Sequence, residues 1–246
     1  MRAIWNIISP TASSELVFSG GGRTRSLTVV RRSVARGMRL TVDPRDATVR
    51  LTLGTRSPLR PALAWAAGKR GWVEAELERL PFPLPLVPDM LFHLGDGDVL
   101  LDWASEKSRR VTLDGNVLHV GGPLDQLTPR VMRFLRAHAL TILEAETRAL
   151  AAAHGITIGR VGVGDTKSRW GSCAASGDIR YSWRLILAPA FVRRSTVAHE
   201  VAHRIHMNHG PAFHALAAKL YEGDPNPARN WLRANGPSLH WFGREG

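Results

Sequence analysis

The stretch Val197-Ala198-His199-Glu200-Val201-Ala202-His203-Arg204-Ile205-His206-Met207-Asn208-His209-Gly210-Pro211 decides how the rest of the chain reads. It contains the pattern H-E-x-x-H. Residues four apart on a helix share a face, one turn above the other, so His199 and His203 can aim ring nitrogens at one ion. Glu200 projects from the next position round the helix, where it reaches a metal-held water more readily than the metal. Two ligands, an activated water and a carboxylate base are the parts of a zinc hydrolase.

A catalytic site needs a third protein ligand and one open position. On a continued helix His206 lies two turns from His199, about 10 Å of rise, so one zinc cannot bond both at roughly 2 Å. His209 is better placed, because Asn208 and Gly210-Pro211 form a helix stop that lets the chain swing back toward the metal. His214, early in the next apolar stretch, is the reserve, and Glu222 is a further candidate as a carboxylate from a later helix. Five of the ten histidines fall between 199 and 214, flanked by Val197, Ala198, Val201, Ala202 and Ile205. A lone H-E-x-x-H arises by chance on solvated helix faces. A histidine cluster on a core-facing helix is costly unless its polar groups have partners, and a metal ion is a common one.

The chain has 246 residues, of which 44% are hydrophobic. That is enough for one large domain or two small ones. No run approaches the ~20 apolar residues of a membrane helix, and 1–10 has too short an apolar core for a secretory signal. A single cysteine, Cys173, excludes an internal disulfide framework. The expectation is a soluble, cytoplasmic protein. Net charge is +12, and of 33 basic residues only four are lysine. The densest part is 23–60, with ten arginines against Asp43 and Asp46. Such a field attracts polyanions. Weak nucleic-acid binding there and a solvated, arginine-rich face are equally compatible with it.

Residues 1–125 read as a β-rich, mainly antiparallel region with one helix. Leu27-Thr28-Val29-Val30, Arg39-Leu40-Thr41-Val42 and Ala47-Thr48-Val49-Arg50-Leu51-Thr52-Leu53 are strand-like, with a turn at Asp43-Pro44-Arg45-Asp46. The helix spans 59–80, weakened by Gly68 and Gly71. The proline-rich 81–88 is a connector, and 111–120 reads as a hairpin about Asp114-Gly115-Asn116. No internal repeat is visible. In 126–246, Thr128-Pro129 opens a long helix whose apolar stripe runs through Val131, Phe134, Leu135, His138, Ile142, Ala145, Ala149 and Ala152. Strands are expected over 156–163 and 179–187, Pro189 precedes the metal helix, and short helices over 213–221 and 228–234 close the chain. The fold class is therefore α+β.

Arg169-Trp170-Gly171-Ser172-Cys173, the strand end Leu185-Ile186-Leu187-Ala188-Pro189, and His199-Glu200-x-x-His203 with Asn208-His209-Gly210 and Phe213 together resemble the YgjP-like metallopeptidases, a group related to SprT and WLM-domain zinc peptidases. The likeness is strong over about 128–222. It is weaker over 23–80, where the family also has an arginine-rich strand region followed by a helix with a tryptophan like Trp72. The resemblance implies a zincin-like catalytic domain at 126–246, with one zinc per chain on His199, His203 and His209 and with Glu200 as base. The chain departs from the family's usual acidic and aromatic run before the first histidine, having Arg193-Arg194-Ser195-Thr196 instead. The histidine spacing also matches the metzincins, but His206 stands where those have glycine.

Such a site would hydrolyse peptide bonds. Zinc brings the pKa of its water toward ~7, Glu200 takes the proton and later passes it to the leaving amine, and one further donor steadies the oxyanion. Arg169, Tyr181, His206 and His214 are the candidates for that donor, with Trp170 as a substrate contact, although Trp170 and Trp183 also suit the core. The strand near 169–173 or the one at 179–183 can offer a sheet edge to an extended peptide. Two other classes compete. A structural zinc module needs a fourth ligand, most plausibly Cys173, and leaves Glu200 without a role. A nucleic-acid-binding protein with a secondary zinc site rests on charge alone, without a recognised motif.

Overall fold

A computed structural model describes residues 16–245. Among these, six α-helices and three mixed sheets make an α+β fold, divided into two compact units between Phe82 and Pro83.

In the first unit, β1 (Val17–Gly20), β2 (Arg23–Arg32), β3 (Arg39–Val42) and β4 (Val49–Gly54) form a sheet in the order β1-β2-β4-β3, followed by α1 (Leu59–Ala67) and α2 (Arg70–Glu78). Alternation decides which face of β4 is covered: Val49, Leu51 and Leu53 are fully buried and the residues between them are not. Asp43 makes the expected turn, its Oδ1 accepting the Arg45 backbone N–H at 3.0 Å, and β3 and β4 pair antiparallel across it. The sheet is mainly antiparallel as expected, in β1–β2 and β3–β4, and is mixed only through its parallel central pair β2–β4. One expectation needs correcting. The helix expected over 59–80 is two helices, interrupted at Gly68 and Lys69, where glycine is a weak helix former.

The second unit opens with β5 (Leu91–Leu94), β6 (Gly97–Ala104), β7 (Thr112–Asp114) and β8 (Val117–Gly121), ordered β5-β6-β8-β7, again with a parallel central pair. The two four-stranded sheets thus repeat one topology although no repeat is legible in the residues. Next come α3 (Leu127–Ala153), then β9 (Val161–Gly164), β10 (Gly171–Cys173) and β11 (Ile179–Ser182) in a sheet ordered β10-β11-β9, then α4 (Ala190–Ala202), α5 (Pro211–Tyr221) and α6 (Asn226–Leu239). One apolar core gathers Phe92, Leu101, Leu118, Leu135, Leu143, Tyr181, Trp183, Val201, Phe213 and Phe242.

α3 buries Leu127, Val131, Leu135, Ala139, Leu143, Thr147 and Ala151, together with Met132. The expected stripe leaves this line at Phe134 and from His138 on: His138 and Ile142 are half-buried, and the alanines at 145, 149 and 152 are exposed. β11 ends at Ser182, earlier than expected. The chain from Trp183 to Leu187 is a 3-10 turn buried at every residue, and a run buried on all sides has no alternation to mark it as strand or helix. No helix among the described residues is long and apolar enough to cross a membrane.

Candidate metal centre

The metal helix α4 is set by its two ends and by one ion pair. Pro189 is its N-cap residue in extended conformation, suited to chain entering a helix. Arg193, almost fully buried, forks onto Glu146 of α3, with Nε 3.0 Å from both carboxylate oxygens and Nη2 2.8 Å from Oε1. The unusual arginine before the motif is therefore an internal tie between helices, while Arg194 is exposed.

The helix ends at Ala202, with His203 capping it, earlier than the Asn208 stop expected from sequence. Arg204 and Ile205 donate to carbonyls three residues back (3.0 and 3.1 Å), tightening the last turn. The chain then runs irregularly to Gly210, whose extended backbone caps α5, with Pro211 in its first turn. This route returns His209 to the end of α4. Ring centroids lie 4.9 Å apart for His199 and His203, 5.1 Å for His199 and His209, and 4.7 Å for His203 and His209. One nitrogen from each ring lies within 4.8 Å of the others.

Two details make these rings competent ligands. The Nδ1 of His203 is 3.1 Å from the His206 carbonyl oxygen. A carbonyl only accepts, so Nδ1 carries the proton and Nε2 is left with its lone pair for an ion. The Nε2 atoms of His199 and His209 face each other at 3.2 Å. Burial, with the nearby His203 and His209, holds the His199 pKa down to about 4, which keeps its ring neutral, the ligand form.

Glu200 is 4% exposed. Burial pushes its carboxyl up to about 7, against the opposing pull of Arg169. It lies against β10: a Cβ at Gly171 would sit 2.6 Å from the Glu200 Cγ. Only glycine leaves the carboxylate room there, a role not visible when Gly171 is read simply as part of a motif.

The remaining candidates are spread around this cluster. Arg169 is exposed and near enough to bias Glu200. His206 contributes its carbonyl to His203. His214 is exposed, its ring 6.3 Å from that of His209. Tyr181 is fully buried, its hydroxyl 3.0 Å from that of Thr147 on α3, and burial raises its pKa far above the ordinary value. Trp170 packs against Gly236 of α6 and the ring of His240. Glu222 closes the far end of α5 in left-handed conformation. Cys173 is not part of the three-histidine group. Its thiol, raised by burial, lines a cleft of about 320 Å³ with Arg169, Ser172, Asp178 and Arg180. Two residues that matter were not assigned roles from sequence: Gly171, described above, and Phe213, whose ring touches all three histidines. A glycine inside a strand was the available signal for the first; for the second, an aromatic four residues after His209 reads only as core.

No curated protein and no solved structure matches the chain. The model of the YgjP-like metallopeptidase domain matches it over residues 36–235. The chain thus belongs to the YgjP-like metallopeptidases: it is a peptidase, a hydrolase that works with a metal ion on peptide substrates.

Proposed function

We propose that the chain is a zinc peptidase of the zincin type, with His199, His203 and His209 as ligands and Glu200 as general base. The observation that carries this reading is the convergence of the three rings beside a buried carboxylate. The 3.2 Å between two of the ring nitrogens is close to the ~3.3 Å that separates ligands on a tetrahedral ion with bonds near 2.05 Å. An all-imidazole set of three suits zinc with one position left open. Bound there, zinc supplies Lewis acidity and an acidified water.

The chain's own residues supply the rest. The Glu200 carboxylate accepts a proton and delivers it to the leaving amine, and a carboxyl lifted by burial holds that proton near neutral pH where an ordinary one would not. β10 is an edge strand. The Trp170 carbonyl accepts from Ser182 N–H at 2.8 Å, and Ala174 N–H donates to the Asp178 carbonyl at 2.9 Å. By the alternation of an antiparallel ladder, the backbone groups of Gly171 and Cys173 face away from β11. A substrate in extended form adds there as a further strand, passing Glu200. Arg169, just before β10, and His214, whose ring is 6.3 Å from that of His209, are the donors proposed for the oxyanion.

The test combines elemental analysis of purified protein with digestion of an unbiased peptide library. One zinc per chain and peptide cleavage are expected. Glu200→Gln should keep the zinc and lose activity by about 10²–10⁴-fold, the usual contribution of an acid–base group. Cleavage at the wild-type rate by that variant would sink the mechanism, and loss of zinc from it would point to a structural site.

A further inference from the structure

Phe213 has no polar atom and is 1% exposed, yet its ring is closer to the three histidines than a core role requires. Its centroid lies 4.8 Å from that of His199, 4.5 Å from His203 and 4.7 Å from His209. It meets His199 and His209 nearly edge-on, at 78° and 71°, and lies tilted by 30° to His203. These are separations at which aromatic rings attract one another in defined orientations. The geometry follows from the turn before α5. Gly210 caps the helix and Pro211 starts it, so His209 precedes the first turn and Phe213 sits within it.

We infer that Phe213 is a positioning residue, a rigid apolar floor that fixes the planes of the three imidazoles and closes that side of the cluster to water. The inference rests on the metal reading above. A flat ring in contact with all three ligands leaves each of them fewer orientations before any ion binds. Its lack of donors and acceptors means that it competes with none of their nitrogens. An apolar wall beside a ligand set also controls the access of water to it. The residue acts through the histidines and touches neither substrate nor ion. A leucine at this place keeps the apolar character but not the planar surface, so the rings gain freedom while the core stays filled.

The test uses full-length protein loaded with Zn²⁺ or with Co²⁺, whose visible absorption reports coordination geometry. Phe213→Leu and Phe213→Met are compared with Leu220→Ala, a buried position two turns along the same helix. The Phe213 variants should release metal to a chelator about 10–100-fold faster, the size of effect typical of groups that support ligands, with a shifted cobalt band. Leu220→Ala should lower the melting temperature while leaving release rate and band unchanged. Unchanged release and spectrum in folded Phe213 variants, or equal changes in Leu220→Ala, would overturn the inference alone. Failure of both Phe213 variants to fold would assign the ring to the core only. A wild-type chain that takes up no ion would overturn the metal reading with it.

Discussion

Two regions of this chain concentrate one kind of side chain, and their fates differ. Ten arginines crowd 23–60 and five histidines crowd 199–214. The arginines with shown partners go to separate places. Arg31 donates from Nη1 to the carbonyls of Gly54, Thr55 and Ser57 at 3.1, 2.8 and 2.8 Å; Arg23, buried, reaches those of Leu77 and Pro81; Arg45 folds back onto Asp43. Three of the histidines instead converge on one point. Composition alone does not distinguish the two cases. What distinguishes them is whether the backbone aims the side chains outward from several strands or inward from a helix end and the turn after it.

The largest expected effect tests that convergence. His199→Ala, His203→Ala and His209→Ala should each lower zinc affinity by more than the 10–100-fold typical of changes outside the ligand set, measured by competition with a chelator. Full zinc retention in His209→Ala, together with loss in His214→Ala, would replace the third ligand.

Next comes the wall beside the base. Gly171→Ala places a methyl where the Glu200 side chain lies, so the carboxylate must shift. Displacements of about 1 Å in a catalytic site can cost on the order of 10²-fold in rate. The variant should bind zinc normally and lose kcat by about that factor. Wild-type kcat would mean that β10 yields instead of Glu200.

The third effect concerns stability. Removing one partner of a buried ion pair costs about 3–5 kcal/mol. Glu146 keeps about a quarter of its side chain exposed, so the lower end applies to Glu146→Gln, roughly 3 kcal/mol. Thermal and denaturant unfolding should show the loss, and the metal-free protein should show it as fully as the loaded one. A cost confined to the loaded protein would mean that the pair serves the site and not the helix packing.

These cases also show what the sequence could reveal. The helix carrying His199 and His203, and their spacing on it, were legible because they are local, whereas the stop was not: Gly210 and Pro211 start α5 instead of ending α4. The strand alternation of β4 and the Asp43 turn were legible for the same reason. Long-range relations were not. Nothing near residues 23–54 indicates that β2 and β4 run parallel, since the pairing depends on where β3 lies. Arg193 reads as surface charge until Glu146, 47 positions away, is found opposite it. Tyr181 reads as a hydroxyl for a substrate until α3 is seen to cover it with Thr147.

The smallest effect expected is in the arginine region. Arg36 and Arg39 are exposed, and we propose that such residues give the chain a weak, sequence-independent affinity for DNA or RNA. Phosphate contacts release counterions, so binding of fluorescent oligonucleotides should fall steeply between roughly 50 and 200 mM salt. The structure sharpens which substitutions to compare. Charge reversal of Arg36 and Arg39 should flatten the salt slope without changing the melting temperature, because neither has a shown role in holding the sheet. Reversal of Arg31 should do the opposite, lowering the melting temperature by removing one donor from each of three carbonyls. If wild-type protein does not bind at the low-salt end, or if the Arg36 and Arg39 variant binds equally well, the positive charge has no such role, and Arg23 and Arg31 serve the fold through the carbonyls they bind.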